Sequence, residues 1–270
     1  MADPYAAFSG SIPETYDRYL GPLLFEPYAA DLATRLAANP PATVLEIAAG
    51  TGIVTRALAH ALPQASLTAT DLNQAMLDHA ARQVANPRIT WKQADAQALP
   101  FADKTFDAVV CQFGVMFFPD KRGAFREALR VLRPKGRLLF NVWDRIEQNA
   151  LSQAVQDWLN ARYPADPPQF LVRAPFGYFD AAVIMKELET AGFTQVVVTT
   201  LPKRSQCPSA RDAAQGLCQG SPLRAELESR EPAGLSDATN AAAQAIAKRF
   251  GAGPVDAPMQ AHVFSAIRSW

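Results

Sequence analysis

The residues best suited to chemistry in this sequence lie around a loop of very small side chains, Ala48-Ala49-Gly50-Thr51-Gly52. An apolar, strand-like run that carries one acid, Glu46, leads into this loop, and a helical pattern follows it. Small side chains let a ligand lie close to the backbone amides, and the start of a helix offers unpaired N–H groups. The stretch therefore indicates a loop that binds a cofactor between a buried strand and a helix.

Two further acids follow the next two predicted strands: Asp71 ends the second strand and Asp95 follows the third. A carboxylate at Asp71 can accept hydrogen bonds from both hydroxyls of a ribose. Asp95 could accept one from an adenine amino group, or it could merely cap a turn. Ligands of open α/β sheets bind at the carboxyl ends of the strands, which favours the ligand interpretation. These acids and the small-residue loop together indicate an adenosine-type cofactor.

The loop also distinguishes a nicotinamide dinucleotide from S-adenosylmethionine (SAM). A dinucleotide-binding loop needs a further glycine for close helix–strand packing, and Thr55 stands at that position. Glu46 would repel a pyrophosphate, whereas an acid attracts the ammonium and sulfonium groups of SAM. The sequence therefore favours SAM.

The elements that must position these residues alternate between strand and helix patterns, as in a parallel sheet with crossover helices. The predicted strands are Thr43–Ile47, Ser66–Thr70, Arg88–Gln93, Phe106–Cys111, Arg137–Val142, Gln195–Leu201 and His262–Arg268. Asn73, Asp120 and Asp180 are predicted helix N-caps. Pro134 and Gly136 predict a turn just before the fifth strand. The pattern predicts an α/β fold.

Three parts of the chain differ in character. Residues 1–42 are interpreted as an N-terminal helical cap, and residues 43–145 as the cofactor-binding core. Residues 146–270 are interpreted as lid and substrate-selecting segments plus the last two strands of the core sheet. Within them, residues 164–178 predict a loop, and residues 209–248 predict a helical insertion rather than a second domain.

Composition excludes several classes of protein. Lys+Arg and Asp+Glu both number 26, so no basic excess indicates nucleic-acid binding. The N-terminus shows no secretory signal and the longest apolar run is too short for a membrane helix, so we expect a cytoplasmic protein without membrane insertion. The three cysteines fit neither a zinc site nor a disulfide framework. The three histidines lie far apart and are interpreted as surface residues, so no metal site is indicated.

Residues 43–142 resemble the class I SAM-dependent methyltransferases, and most closely the branch that includes the ubiquinone/menaquinone C-methyltransferases. The matching stretches, in the family's order, are Val44–Thr55, Thr70–Leu77, Ala94–Phe101, Thr105–Asp107 and Phe125–Leu138. The resemblance implies a Rossmann-like seven-stranded methyltransferase sheet, mostly parallel with the last strand antiparallel. It also implies helices on both faces and a helical insertion near the C-terminus.

The resemblance further implies SAM as methyl donor and S-adenosyl-L-homocysteine as product. The implied contacts around the methionine part of SAM are Glu46, Ala48, Gly50, Thr51 and Gly52, and Tyr19 or Tyr16 would close over that end. Asp71 would bind the ribose, Leu72 and Met76 would lie against the adenine, and Asp95 and Ala96 would lie at the adenine edge. Gln112 would line the cofactor after the fourth strand. Ala48 replaces the family's first loop glycine. Alanine is small enough if its φ stays negative, so we expect SAM binding to be retained.

The segments expected to face the methyl acceptor are rich in aromatic residues, which suit a small apolar or aromatic molecule. The predicted acceptor contacts are Phe117, Trp143, Arg173, Phe176 and Tyr178. Met116 replaces an arginine of the quinone methyltransferases, which weakens any transfer of their substrate. Methyl transfer from a sulfonium is an in-line displacement that needs no metal, and we assign no general base. A non-catalytic SAM-binding protein, a protein or nucleic-acid methyltransferase, and a homodimer stay open.

Overall fold

Seven strands form one mixed sheet in the computed structural model, which describes residues 12–230 and 234–269. They are β1 (Thr43–Ile47), β2 (Ser66–Asp71), β3 (Ile89–Gln93), β4 (Phe106–Gln112), β5 (Leu132–Trp143), β6 (Thr194–Cys207) and β7 (Val255–Ile267). Their order is β3-β2-β1-β4-β5-β7-β6. The first five strands pair in parallel, and β7 runs antiparallel to β5. The predicted methyltransferase sheet with its antiparallel last strand is thus confirmed.

Helices connect and surround these strands. The α-helices of the described residues are α1 (Ile12–Thr15), α2 (Glu26–Ala37), α3 (Ile53–Ala61), α4 (Gln74–Gln83), α5 (Lys121–Val131), α6 (Ala150–Arg162), α7 (Phe170–Arg173), α8 (Ala181–Ala191), α9 (Ala210–Gln219), α10 (Leu223–Glu228) and α11 (Leu235–Phe250). The predicted caps are confirmed, because the side chains of Asn73, Asp120 and Asp180 each accept hydrogen bonds from first-turn amides.

The described residues divide into two compact units. The first unit, which we call the helical unit, contains residues 12–27, 144–177 and 202–260; the second, the sheet unit, contains residues 28–143, 178–201 and 261–269. The sheet unit therefore holds β1 to β5 and the inner part of β7. The helical unit holds α6, α7 and α9 to α11.

Aromatic side chains fill the core of the sheet unit beside β5. Phe140 and Phe264, which pair across β5 and β7, are fully buried and stack with ring centroids 4.9 Å apart. Phe125 from α5 packs against Phe140 at 5.5 Å. Burial of such rings contributes about 1.5–3 kcal/mol each to folding, so this cluster fixes β5 in the sheet.

Several segments differ from the sequence-based expectation. β5 begins at Leu132 rather than after a turn at Pro134 and Gly136, and its register against β4 shifts between Phe106 and Ala108. A π-helix over Tyr16–Phe25, which contains Pro22, precedes α2. Proline lacks an N–H and disturbs regular α-helical bonding, which favours a wider turn. The short helix α7 interrupts the predicted loop of residues 164–178.

Two of the three histidines are not surface residues. His79 and His262 are only 8% and 9% exposed, and His262 Nδ1 lies 3.0 Å from the Thr200 hydroxyl. No group of acidic, histidine or cysteine side chains within residues 12–230 and 234–269 is arranged to hold a metal. Across the same residues, no helix has the length and apolar character needed to cross a membrane.

Candidate cofactor site

The loop between β1 and α3 adopts backbone angles that require small residues. Gly50 and Gly52 have φ of +55° and +78°, in the left-handed region that glycine adopts without strain. A Cβ on Gly52 would lie 3.0 Å from both Ala80 Cβ and Trp91 Cη2, whereas a Cβ on Gly50 would have no atom within 4 Å. Gly52 therefore permits close packing inside the protein, while Gly50 leaves its backbone open to a ligand.

Asp71, at the carboxyl end of β2, holds this loop in place. Its carboxylate accepts a hydrogen bond from the Gly50 amide at 2.8 Å and another from the Asn73 amide at 2.8 Å. Burial raises the pKa of Asp71, and these amide hydrogen bonds oppose that effect. A carboxylate has about four acceptor positions, and the Leu72 amide also hydrogen-bonds to this one, so some acceptor capacity remains for a ribose.

Glu46 is the buried acid of the site. Its side chain lies in β1 at 4% exposure, and the Thr55 hydroxyl donates to its Oε2 at 2.5 Å. Burial, as the largest cause, raises the pKa of Glu46 to about 8, and the nearby charge of Asp71 raises it further. The charge of Arg56 lowers this pKa, but burial outweighs it. A bound cation would further favour the ionised carboxylate.

Ala48 corrects one expectation. Its φ is +54°, not negative, so the alanine occupies the left-handed conformation of the glycine that it replaces. Such a conformation costs a non-glycine residue about 1–2 kcal/mol. A Cβ on Gly114 would lie 2.5 Å from Ala48 Cβ, so Gly114 leaves the room that the alanine methyl group occupies. The two positions are thus sterically linked.

The remaining predicted contacts of the adenosine part follow β2 and β3. Asp95 Oδ1 accepts a hydrogen bond from the Gln97 amide at 2.8 Å, so this side chain does cap a turn, and it keeps further acceptor positions. Met76 and Ala96 are buried at 4% and 7% exposure, and Leu72 is half-buried. Their contacts with adenine, and that of Asp95, stay predictions.

An aromatic group surrounds the carboxyl ends of β4 and β5. The rings of Phe113 and Trp143 stack at 3.8 Å, and Tyr28 contacts both edge-on at 5.3 and 5.4 Å. Trp143 is only 3% exposed, so most of its surface contacts protein. Gln112 lies beside Asn141 in the β4–β5 register, and the Asn141 side chain accepts the Phe113 amide at 2.9 Å. These contacts fix the segment that follows β4.

The Tyr178 side chain contacts charged side chains of the protein. Its hydroxyl donates to Glu187, and Lys121 Nζ lies 4.9 Å from the centre of its ring. Burial and the Glu187 carboxylate raise the pKa of Tyr178 well above its usual value. The phenol is therefore neutral at physiological pH and poorly suited to act as a base. Phe117, in the same unit, is half-buried in a 3₁₀ turn over Val115–Phe117.

Three predicted contacts lie in the helical unit. Tyr19 belongs to the π-helix and packs through its Cβ near Gly216 of α9. Arg173 pairs with Glu226 at 2.9 Å, and Glu226 also accepts the amides of Gln169 and Phe170. Phe176 is 6% exposed. Arg173 thus neutralises the carboxylate that accepts the amides at the start of α7. The ligand contacts of Tyr19, Arg173 and Phe176 stay predictions.

The residues of the sheet unit fit SAM. Glu46 supplies a buried acid for a cation, Asp71 supplies free acceptor positions for ribose hydroxyls, and Gly50 leaves open space for a ligand against its backbone. From the sequence, Thr55 was notable only because it stands where a dinucleotide-binding loop has a glycine. In the structure it is the hydrogen-bond partner of Glu46. Its position in the first turn of the helix after the loop is the sequence feature that could have identified it.

Comparison with known proteins identifies the family of this chain. Residues 44–136 match a family described as a methyltransferase domain. The ubiquinone/menaquinone biosynthesis C-methyltransferase UbiE of Caulobacter sp. (strain K31) is 31% identical over 186 residues, which cover 62% of this chain and 74% of that protein. This chain therefore belongs to the class I SAM-dependent methyltransferases.

Solved structures share its fold at low sequence identity. The YcgJ protein of Bacillus subtilis has a TM-score of 0.57 and 19% identity, and the match covers 90% of this chain and 99% of that one. Phosphoethanolamine N-methyltransferase 2 of Haemonchus contortus, in complex with SAM, has a TM-score of 0.58 and 17% identity over 96% of this chain and 57% of that one. At such identities the similarity establishes the fold alone.

Proposed function

We propose that this methyltransferase transfers the methyl group of SAM to a small, apolar or aromatic molecule in the cytoplasm, by in-line displacement without a metal. The main support for this acceptor class is the aromatic segment directly after β4, where Phe113 stacks on Trp143 and the half-buried Phe117 follows. In the β4–β5 register this segment adjoins Gln112, at the same sheet edge as Glu46 and Asp71. The partly exposed Phe117 offers an apolar surface beside the cofactor edge, which suits an apolar acceptor.

Each residue of the cofactor site has a distinct task in this proposal. Asp71 binds the ribose and keeps the Gly50 loop in shape, and Glu46 compensates the positive charge of the methionine part. SAM supplies a methyl group activated by its sulfonium. The chain then contributes alignment of the acceptor and exclusion of water, which lower the barrier without a covalent enzyme intermediate.

The proposal includes no general base. Tyr178 donates its proton to Glu187 and has a raised pKa, and Asp144 accepts Gln260 Nε2 at 2.6 Å. Both side chains are therefore engaged in hydrogen bonds of the protein. An acceptor that is already nucleophilic at neutral pH, or that loses its proton to water, fits these residues best.

A screen with methyl-labelled SAM tests this proposal. The purified chain would be incubated with a cell extract separated into small molecules, protein and nucleic acid, and the label would be followed in each fraction. We expect label in an extractable, apolar small molecule. Label confined to protein or nucleic acid would contradict the proposed acceptor class, and saturable SAM binding without any transfer would favour a non-catalytic role.

Matched variants then locate the acceptor. Phe117→Ala should raise the acceptor KM while leaving the Kd for SAM unchanged, whereas Asp71→Ala should chiefly weaken SAM binding. Val183→Ala, an exposed apolar side chain on α8, serves as the control. Equal loss of SAM and acceptor binding in Phe117→Ala would overturn the assignment of Phe117.

A further inference from the structure

A pocket lies in the sheet unit, away from the cofactor loop. Its volume is about 100 Å³, and its lining residues are Arg35, Leu36, Arg137, Leu139 and Ser265. Arg137 pairs with Ala108, which in turn pairs with Val44 at the start of β1. The pocket therefore lies towards the amino ends of the parallel strands, about 13 Å along β5 from the end that carries Asn141.

Arg137 carries a positive charge that the protein does not neutralise. Its Nη2 donates to the carbonyl oxygens of Leu36, in the last turn of α2, and Asn39, just past the end of that helix. Its Nε and Nη1 make no hydrogen bond to the described residues, and no described carboxylate pairs with it. Burial lowers the pKa of this half-buried guanidinium, with no acid to oppose the effect. An anion beside it would compensate that desolvation.

The other polar groups of the pocket are also hydrogen-bond donors. Arg35 Nε pairs with Asp31 at 2.6 Å, so this guanidinium is neutralised, yet it still has further N–H groups. The Ser265 hydroxyl, opposite Leu139 in the β5–β7 register, has no partner in the described part of the chain. Leu36 and Leu139 form apolar walls. The balance of charge in the pocket is therefore positive.

We propose that this pocket is an oxyanion-binding site, which takes a compact anion of the phosphate or sulfate class. The Arg137 guanidinium can donate a charge-assisted hydrogen bond to such a group from Nη1 or Nε, and Ser265 can donate a second. A volume of about 100 Å³ corresponds to the space of roughly three water molecules, which suits a tetrahedral oxyanion. Because Arg137 also holds the end of α2, a bound anion stabilises the fold.

Inorganic phosphate is the probe that tests the site. Its binding to the full chain would be measured by calorimetry and by the shift in thermal unfolding midpoint, with sodium chloride at equal ionic strength as reference. Sulfate and acetate, measured in parallel, separate a tetrahedral dianion site from a general carboxylate site. We expect saturable phosphate binding with a Kd of about 1 mM or tighter, unchanged by saturating S-adenosyl-L-homocysteine.

Three variants assign the binding to this pocket. Arg137→Gln should weaken phosphate binding at least about tenfold. Lys135→Gln removes an equal charge from an exposed position of the same strand, so it should change the Kd less than about twofold.

Because Arg137→Gln also removes contacts to the end of α2, Ser265→Asp provides a variant expected to stay folded. It places a carboxylate beside Arg137, so it should raise the midpoint without phosphate and abolish the shift with phosphate.

Any of three results would overturn the proposal. The first is the absence of a saturable phosphate signal in the natural chain beyond the effect of chloride. The second is equal phosphate affinity in the natural chain and a folded Ser265→Asp variant. The third is binding of acetate as tight as that of phosphate, which would refute the tetrahedral-anion class.

Discussion

The Gly50 amide donates a hydrogen bond to the Asp71 carboxylate over 2.8 Å, which ties the loop after β1 to the end of β2. The same carboxylate also accepts the Asn73 amide that precedes α4. One side chain therefore shapes the cofactor loop and, in our proposal, binds the ribose. Its loss should affect both the shape of the loop and the binding of the ribose.

Asp71→Ala should lower SAM affinity by about 100-fold, because both the loop tether and the ribose acceptors are lost. Calorimetric titration with SAM measures the change. Asp78→Ala, which removes an exposed acid from α4, is the control and should bind SAM normally. Unchanged affinity in Asp71→Ala would contradict the ribose role.

Relative to the natural chain, Glu46→Gln should stabilise the ligand-free protein, and the difference should grow as pH rises. The pKa of Glu46 is about 8 in the folded chain against 4.5 when exposed, so the folded state holds a proton that the unfolded state has lost. Stability of the natural chain therefore falls between these two pH values, by at most about 1.4 kcal/mol per pH unit. Glutamine does not titrate, so this fall should disappear.

Urea unfolding at several pH values between 4.5 and 8 measures that difference. Glu147→Gln, at an exposed position, is the control and should keep the slope of the natural chain. A slope in Glu46→Gln equal to that of the natural chain would show that Glu46 is ionised throughout, and the assignment of its raised pKa would be wrong.

When SAM binds at about pH 6.5, close to one proton should be released. At that pH Glu46 of the ligand-free protein is protonated and the α-amino group of SAM is charged. The cation favours the carboxylate, so the proton leaves as the ligand binds. Calorimetry in two buffers of different ionisation enthalpy gives the number released. Glu46→Gln should release none, and an equal release in both proteins would exclude Glu46 as its source.

Ala48→Gly should stabilise the chain by about 1 kcal/mol, since glycine adopts the φ of +54° without strain. Gly114→Ala should destabilise it, because the new methyl group would meet Ala48 Cβ at 2.5 Å and Cys111 Sγ at 2.8 Å. The double variant should recover part of that loss, because only the contact with Cys111 remains. Strict additivity in a denaturation cycle would show that the two positions are independent.

Tyr178→Phe should cost about 1–2 kcal/mol of stability, because the Glu187 carboxylate loses a donor. Methyl-transfer kcat, once the acceptor is known, should change only a few-fold, because the raised pKa keeps this phenol from acting as a base. Glu187→Gln should cause a similar loss of stability. A drop in kcat of more than about 100-fold in Tyr178→Phe alone would instead indicate proton transfer by Tyr178.

Local chemistry explains what the sequence could predict. The apolar run of β4 and the caps at Asn73, Asp120 and Asp180 depend on neighbours in the chain, and the structure confirms them. The ends of strands depend on pairing with neighbouring strands, and these ends were predicted less well from the sequence. β7, predicted over His262–Arg268, begins at Val255, and part of β6 likewise extends beyond the prediction.

The finer features of the site depend on residues distant in sequence. The Ala48 methyl group has room because position 114 is a glycine, and nothing near Ala48 in the chain indicates that. The pKa of Glu46 depends on its burial and on Thr55. The charge of Arg137 is unneutralised because no acid packs against it in the described chain, and a composition with zero net charge conceals this.

The position of β7 has a consequence for the order in which the sheet can be assembled. β7 inserts between β5 and β6, so the strand made earlier, β6, cannot reach its place until the strand made later has arrived. Until then β5 presents a row of unpaired amide and carbonyl groups along an apolar edge. Such an edge is a template for intermolecular pairing, so slow arrival of residues 255–267 would expose the newly made chain to aggregation.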